Sequence, residues 1–177
     1  LLQLQNSTNV EARFRNSAGT NFDIVGSNLL DLNQWQHLAF TYDGSNIYLY
    51  KDGVLISSTP ANGTITQISQ SFKIGALDWS GTGFYMNGSL DEVRLWNATL
   101  SPTTISNWMC TEVTAVHPDY NSLAGYWRLN DGVGTTATDL SVNGYNGTLN
   151  NNPAWQVTTT CFASTVIQKT YVPDDNF

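Results

Sequence analysis

At 177 residues the chain has room for one large domain or two small ones; 41% of it is hydrophobic, 12% aromatic and only 12% charged, about half the charge of an ordinary soluble domain. Seven Lys and Arg against fourteen acids leave a net charge of −7, a field that repels phosphate backbones and so excludes nucleic acid as a partner. No apolar run approaches the ~20 residues of a membrane-spanning helix, and no membrane insertion is expected.

Solubility falls instead to Ser, Thr, Asn and Gly, which crowd the gaps between apolar stretches, the usage of extracellular β-proteins. From the start, Leu2, Leu4, Val10, Ala12 and Phe14 occupy even positions with polar residues between them, which is strand periodicity. A turn over 16–19 and a strand over 22–25 follow. The strongest segment runs from Trp35 to Tyr42, placing Leu38, Phe40 and Tyr42 on one face and His37, Ala39 and Thr41 on the other. Asp43-Gly44-Ser45-Asn46 turns the chain into Ile47-Tyr48-Leu49-Tyr50, and Asp52-Gly53 turns it again into a strand over 54–58. Pro60 to Gly63 is expected to end this meander. A strand then begins at Phe72, with an aromatic-rich exit loop from Leu77 to Met86. Leu90, Val93, Leu95 and Trp96 mark a further strand. Ser101-Pro102 supplies an N-cap and a first-turn proline, so the single short helix is predicted from Pro102 to about Cys110. An apolar strand over 123–129 precedes a stretch rich in Gly, Thr and Asn.

Three blocks together resemble the laminin G-like family of concanavalin A-like jelly rolls. They are W-Q-H-L-A-F-T-Y-D-G with Y-L-Y-K-D-G over 35–53, F-K-I-G-A and M-N-G-S-L-D-E-V-R-L-W-N within 72–97, and the Ser-Pro helix start over 100–105. A fourth block, 123–155, resembles a segment found beside such domains in surface proteins of Bacteroidota, and resembles how such domains begin. The resemblance implies an all-β, two-sheet antiparallel jelly-roll sandwich. Few residues precede Trp35, so part of the sandwich's amino-terminal half is expected to be absent. Residues 123–155 are expected to complete the sheets from the other end; the alternative is a truncated sandwich. Residues 1–155 are read as the sandwich and 156–177 as a tail or linker into a following module. The chain reads as a piece of a long secreted or cell-surface protein.

The resemblance also bears on chemistry. Related glucanases need two carboxylates flanking one glycosidic bond. Asp91-Glu92 is the only adjacent acidic pair outside the tail, and neighbouring strand residues face opposite ways. His37 and His117 stand without a nucleophile at motif spacing. A non-catalytic module is therefore expected. In related sandwiches the Asp at the position of Asp91 often holds a structural Ca²⁺, with Asp139 a candidate partner; the alternative is that Asp91 caps a turn. The even pair Cys110 and Cys161 predicts one disulfide.

Sugar binding needs aromatic faces to stack on C–H surfaces and planar polar groups to meet hydroxyls. Trp79 and Tyr85 are the candidate stacking residues, with Asp78 and Asn87 for hydroxyls; the alternative is that this rim folds back to close the sandwich. The expected partner is accordingly a glycan or a cell-surface protein. A structural spacer or assembly domain between neighbouring modules is the alternative function. Trp35, Trp96, Trp108 and Trp127 sit in apolar patterns and read as core.

Overall fold

The computed structural model describes residues 1–66, 71–79 and 81–156; the side chains of Asp78 and Trp79, Cys161 and the expected tail beyond residue 156 lie outside the described residues. These fall into two units, Leu1–Ser89 and residues 90–156. The strand pairings described in both are antiparallel.

In the first unit β1 (Leu2–Leu4), β2 (Val10–Arg15) and β3 (Asn21–Gly26) form one sheet, in that order. A second sheet consists of β4 (Leu38–Tyr42), β5 (Asn46–Lys51) and β6 (Val54–Pro60). The alternation visible in the sequence decides the core between them. Val10, Ala12 and Phe14 from β2, Ile24 from β3, and Ile47 and Leu49 from β5 are buried, with Leu38, Phe40 and Tyr42 of β4 packed against them. Phe14 is central, its ring centroid 5.4 Å from Phe22 and 4.4 Å from Tyr42.

Turn chemistry sets the register of the second sheet. Asp43 Oδ1 accepts the N–H groups of Ser45 at 2.8 Å and Asn46 at 2.7 Å, an Asx-type turn that delivers β4 into β5. Asp52 and Gly53 take φ of 50° and 76°, as a two-residue hairpin turn between β5 and β6 requires. The strand expected to stop before Pro60 runs through it, pairing Pro60 with Asn46. β6 is an edge strand, where a residue without an N–H is tolerated.

The exit loop expected over 77–86 is also regular. β7 (Ala76–Trp79) and β8 (Thr82–Tyr85) form an antiparallel hairpin, and it is residues 72–75, expected to be strand, that lie outside it. Apolar and aromatic residues fall on both faces of this ribbon, which hides the period of two that would have revealed it.

The second unit contains β9 (Val93–Trp96) paired with β10 (Leu123–Trp127), and β11 (Thr136–Ala137) paired with β12 (Gly147–Thr148). Strand β9 starts three residues later than the apolar pattern proposed, because Glu92 takes φ 54°, a left-handed conformation that no strand accommodates. Helix α1 (Pro102–Trp108) forms where expected: Ser101 Oγ accepts the Thr104 N–H at 3.0 Å, and Ile105 is its buried residue. The fold is thus all-β, an antiparallel sandwich of the jelly-roll kind with one short helix.

Candidate functional site

The β7–β8 register sorts the residues proposed for binding. Asp78 pairs with Gly83, Ala76 with Tyr85, Leu77 with Phe84 and Trp79 with Thr82. Because strand residues alternate faces, positions 76, 78, 83 and 85 share one face, and 77, 79, 82 and 84 share the other. The Met86 N–H donates to Gly75 O at 2.8 Å, one step beyond the paired residues. By this register positions 78 and 85 share one backbone face of the ribbon.

Tyr85 is 58% exposed, and its ring has a defined seat. A Cβ placed on Gly83 would lie 2.6 Å from Tyr85 Oη and 2.9 Å from Cζ, so the distal part of the ring lies over the bare backbone of Gly83. Any side chain at 83 would push it off. The result is an aromatic ring laid along a sheet surface and open to solvent on its outer side; Asn87, two residues on, is also exposed.

A second polar surface, not anticipated, covers the outer face of the β1–β2–β3 sheet. Glu11 is 2% exposed although it faces away from the core. Its Oε2 accepts the side-chain amides of Gln3 at 2.8 Å and Gln5 at 2.7 Å, and its Oε1 pairs with Arg13 at 2.6 Å. Arg13 also approaches Asp23 at 3.9 Å. The only sequence signal for this cluster is polar residues at odd positions opposite the apolar even ones, which names a solvent face without showing that one acid on it is buried.

In the second unit, Glu92 gathers three donors: Arg94 at 2.6 Å, the Tyr126 hydroxyl at 2.7 Å and Arg128 at 3.3 Å. Burial first, and the bond to Glu92 second, raise the Tyr126 phenol well above its usual range. Asp139, 5% exposed, is similarly committed. Its Oδ1 accepts the N–H groups of Tyr126 and Ser141, and its Oδ2 the Ser141 hydroxyl and the Tyr145 N–H, each at 2.8 Å. Burial opposes its charge, but these donors outweigh burial and hold the carboxyl below its usual pKa.

Residues 1–106 match the family described as the concanavalin A-like lectin/glucanases superfamily, more than half of the 177 residues. The chain belongs to that superfamily. No curated protein and no solved structure matches it. Membership in the concanavalin A-like superfamily covers lectins and glucanases alike, so the chemistry must be argued from the side chains. Glucanase chemistry needs two carboxylates across an open gap wide enough for a glycosidic bond. Glu92 is tied to two guanidinium groups, and Arg13 stands between Glu11 and Asp23 and pairs with both, so neither place offers that gap.

The Ca²⁺ implied by the resemblance meets an obstacle at Asp139. Four donors point hydrogens at its two oxygens, occupying the lone pairs a hard cation would need, and the carboxylate as arranged does not fit a metal ligand. Asp91 Oδ1 accepts the N–H of its neighbour Glu92 at 3.0 Å. Among the described residues no group of three or more His, Cys, Asp or Glu could hold a metal, and no helix is long and apolar enough to cross a membrane. Of the tryptophans expected in the core, Trp127 is buried at 5% exposure, while Trp35, Trp96 and Trp108 are half-buried.

Proposed function

We propose that this chain is a non-catalytic, extracellular binding module that recognises glycans through the Tyr85 face of the β7–β8 hairpin. The observation that carries this reading is the solvent-open Tyr85 ring seated over Gly83, with position 78 on the same face by register. An aromatic surface in water favours a partner with apolar C–H faces, and the exposed Asn87 amide can meet sugar hydroxyls. The ring is already held, so little ordering cost falls on binding.

A glycan array followed by titration calorimetry on the positive sugars tests the proposal. Tyr85→Ala is expected to weaken binding about thirtyfold, roughly 2 kcal/mol, as loss of a central aromatic anchor does. Tyr85→Phe retains the stacking face and is expected to stay within about threefold. Unchanged affinity in Tyr85→Ala would remove the hairpin as the site. A folded protein that binds no glycan would replace this reading with that of a structural spacer between modules.

A further inference from the structure

The second unit carries a loop, residues 138–146, that joins β11 to β12 and is held more tightly than the connection requires. Asp139 Oδ2 accepts the Tyr145 N–H at 2.8 Å, and Trp127 Nε1 donates to Tyr145 O at 3.0 Å. Asn146 Oδ1 accepts the Asp139 N–H at 2.9 Å, and Asn143 Nδ2 donates to Ala124 O at 3.0 Å. The anchors Asp139 and Trp127 are each 5% exposed. A loop fixed from a buried carboxylate and a buried indole has lost its conformational freedom before any ligand arrives, which removes part of the usual ordering cost of binding.

What this rigid loop displays is apolar: Tyr145 is 66% and Val142 83% exposed. Burial of such groups is the main driving force of folding, and here the backbone bonds hold them outward. The chemistry around them narrows the partner. Residues 140–156 contain no Asp, Glu, Lys or Arg and five Asn, so this stretch itself offers no ion pair to a charged ligand; the Asp131 carboxylate accepts from Thr138 at the start of the loop. Asn146 commits its Oδ1 to the loop and leaves its amide N–H₂ as donor, while Asn143 commits its Nδ2 and leaves Oδ1 as acceptor. An aromatic ring flanked by neutral donors and acceptors matches a ligand with apolar C–H faces, many hydroxyls and no net charge.

We propose that the 138–146 loop is a second, independent binding site for neutral saccharide, in which Tyr145 stacks on a sugar ring and the outward amide groups of Asn143 and Asn146 meet its hydroxyls. The test is affinity electrophoresis through gels containing β-glucan, galactomannan or hydroxyethyl cellulose, with Tyr85→Ala protein so that the hairpin does not contribute. Retardation by at least one of these polymers is expected to persist in Tyr85→Ala, to weaken tenfold or more when Tyr145→Ala is added, and to survive Tyr145→Phe. Circular dichroism and an unchanged melting temperature confirm that the exposed ring was removed without unfolding.

The proposal is overturned if Tyr145→Ala leaves the residual retardation unchanged, or if no neutral polymer retards the Tyr85→Ala protein. In the second case, binding by the wild type would leave the hairpin reading standing alone. Loss of binding in Tyr145→Ala, with none in Tyr85→Ala, would do the reverse.

Discussion

At the scale of single residues, His117 shows what a sequence conceals. It stood as one of two histidines without motif partners, yet it is 3% exposed, with Trp96 stacked on it at 4.6 Å and Trp108 tilted against it at 4.5 Å. Its Nδ1 accepts the Asp119 N–H at 3.0 Å, so the neutral ring carries its proton on Nε2. Burial lowers its pKa; Asp119 opposes this, and Arg94 adds to it. A neutral histidine held below its unfolded value contributes stability that is complete above about pH 6.5 and is lost as acidification protonates the unfolded chain first. As pH falls below about 6.5, stability is expected to fall, with a slope that one proton limits to about 1.4 kcal/mol per pH unit. The measurement is urea unfolding at several pH values. His117→Phe, which fills the aromatic slot without titrating, should be less stable at pH 7 and show a flatter profile; an unchanged slope would exclude His117 as the source. Asp139 also has a lowered pKa, but because its anion is stabilised, so its contribution is likewise lost on acidification and only in stronger acid.

At the scale of elements, alternation and turn chemistry were sufficient for most strands. The meander from Leu38 to Val54 reads directly from its apolar faces and from Asp43 and Asp52, because one face is buried and each turn residue has a local bond to make. Leu49, fully buried between the two sheets of the first unit, is the sensitive point of that arrangement. Leu49→Ala is expected to lower unfolding free energy by about 2–5 kcal/mol, whereas Val54→Ser on the edge strand, 63% exposed, should change it by less than about 0.5 kcal/mol. Equal effects in chemical denaturation would contradict the assigned core. The β7–β8 hairpin and the start of β9 escaped the pattern for different reasons. The hairpin is apolar on both faces, and the delay of β9 depends on Glu92 being held in a left-handed conformation beside Arg94, Tyr126 and Arg128, residues up to 36 positions away.

At the scale of the whole molecule, the cysteine pair remains a proposal, since Cys161 lies outside the described residues. A Cys110–Cys161 bond would close roughly 50 residues and restrict the unfolded chain by about 4 kcal/mol in the loop-entropy model. Reduction is accordingly expected to lower the melting temperature of the wild type and to leave a Cys110→Ser, Cys161→Ser protein unaffected; free thiols in the oxidised, folded protein would refute the bond. By itself the sequence determined the all-β class, the core faces of the first unit, the helix start at Ser101 and the superfamily, because periodicity, turn residues and caps act over a few neighbouring positions. Only the tertiary structure decided that the Tyr85 ring lies over Gly83, that Asp139 holds a loop through four donors, and that Glu11 is buried on an outer face. Each depends on register or on partners distant in the chain, and alternation alone does not specify which residue on one strand lies opposite which on the next.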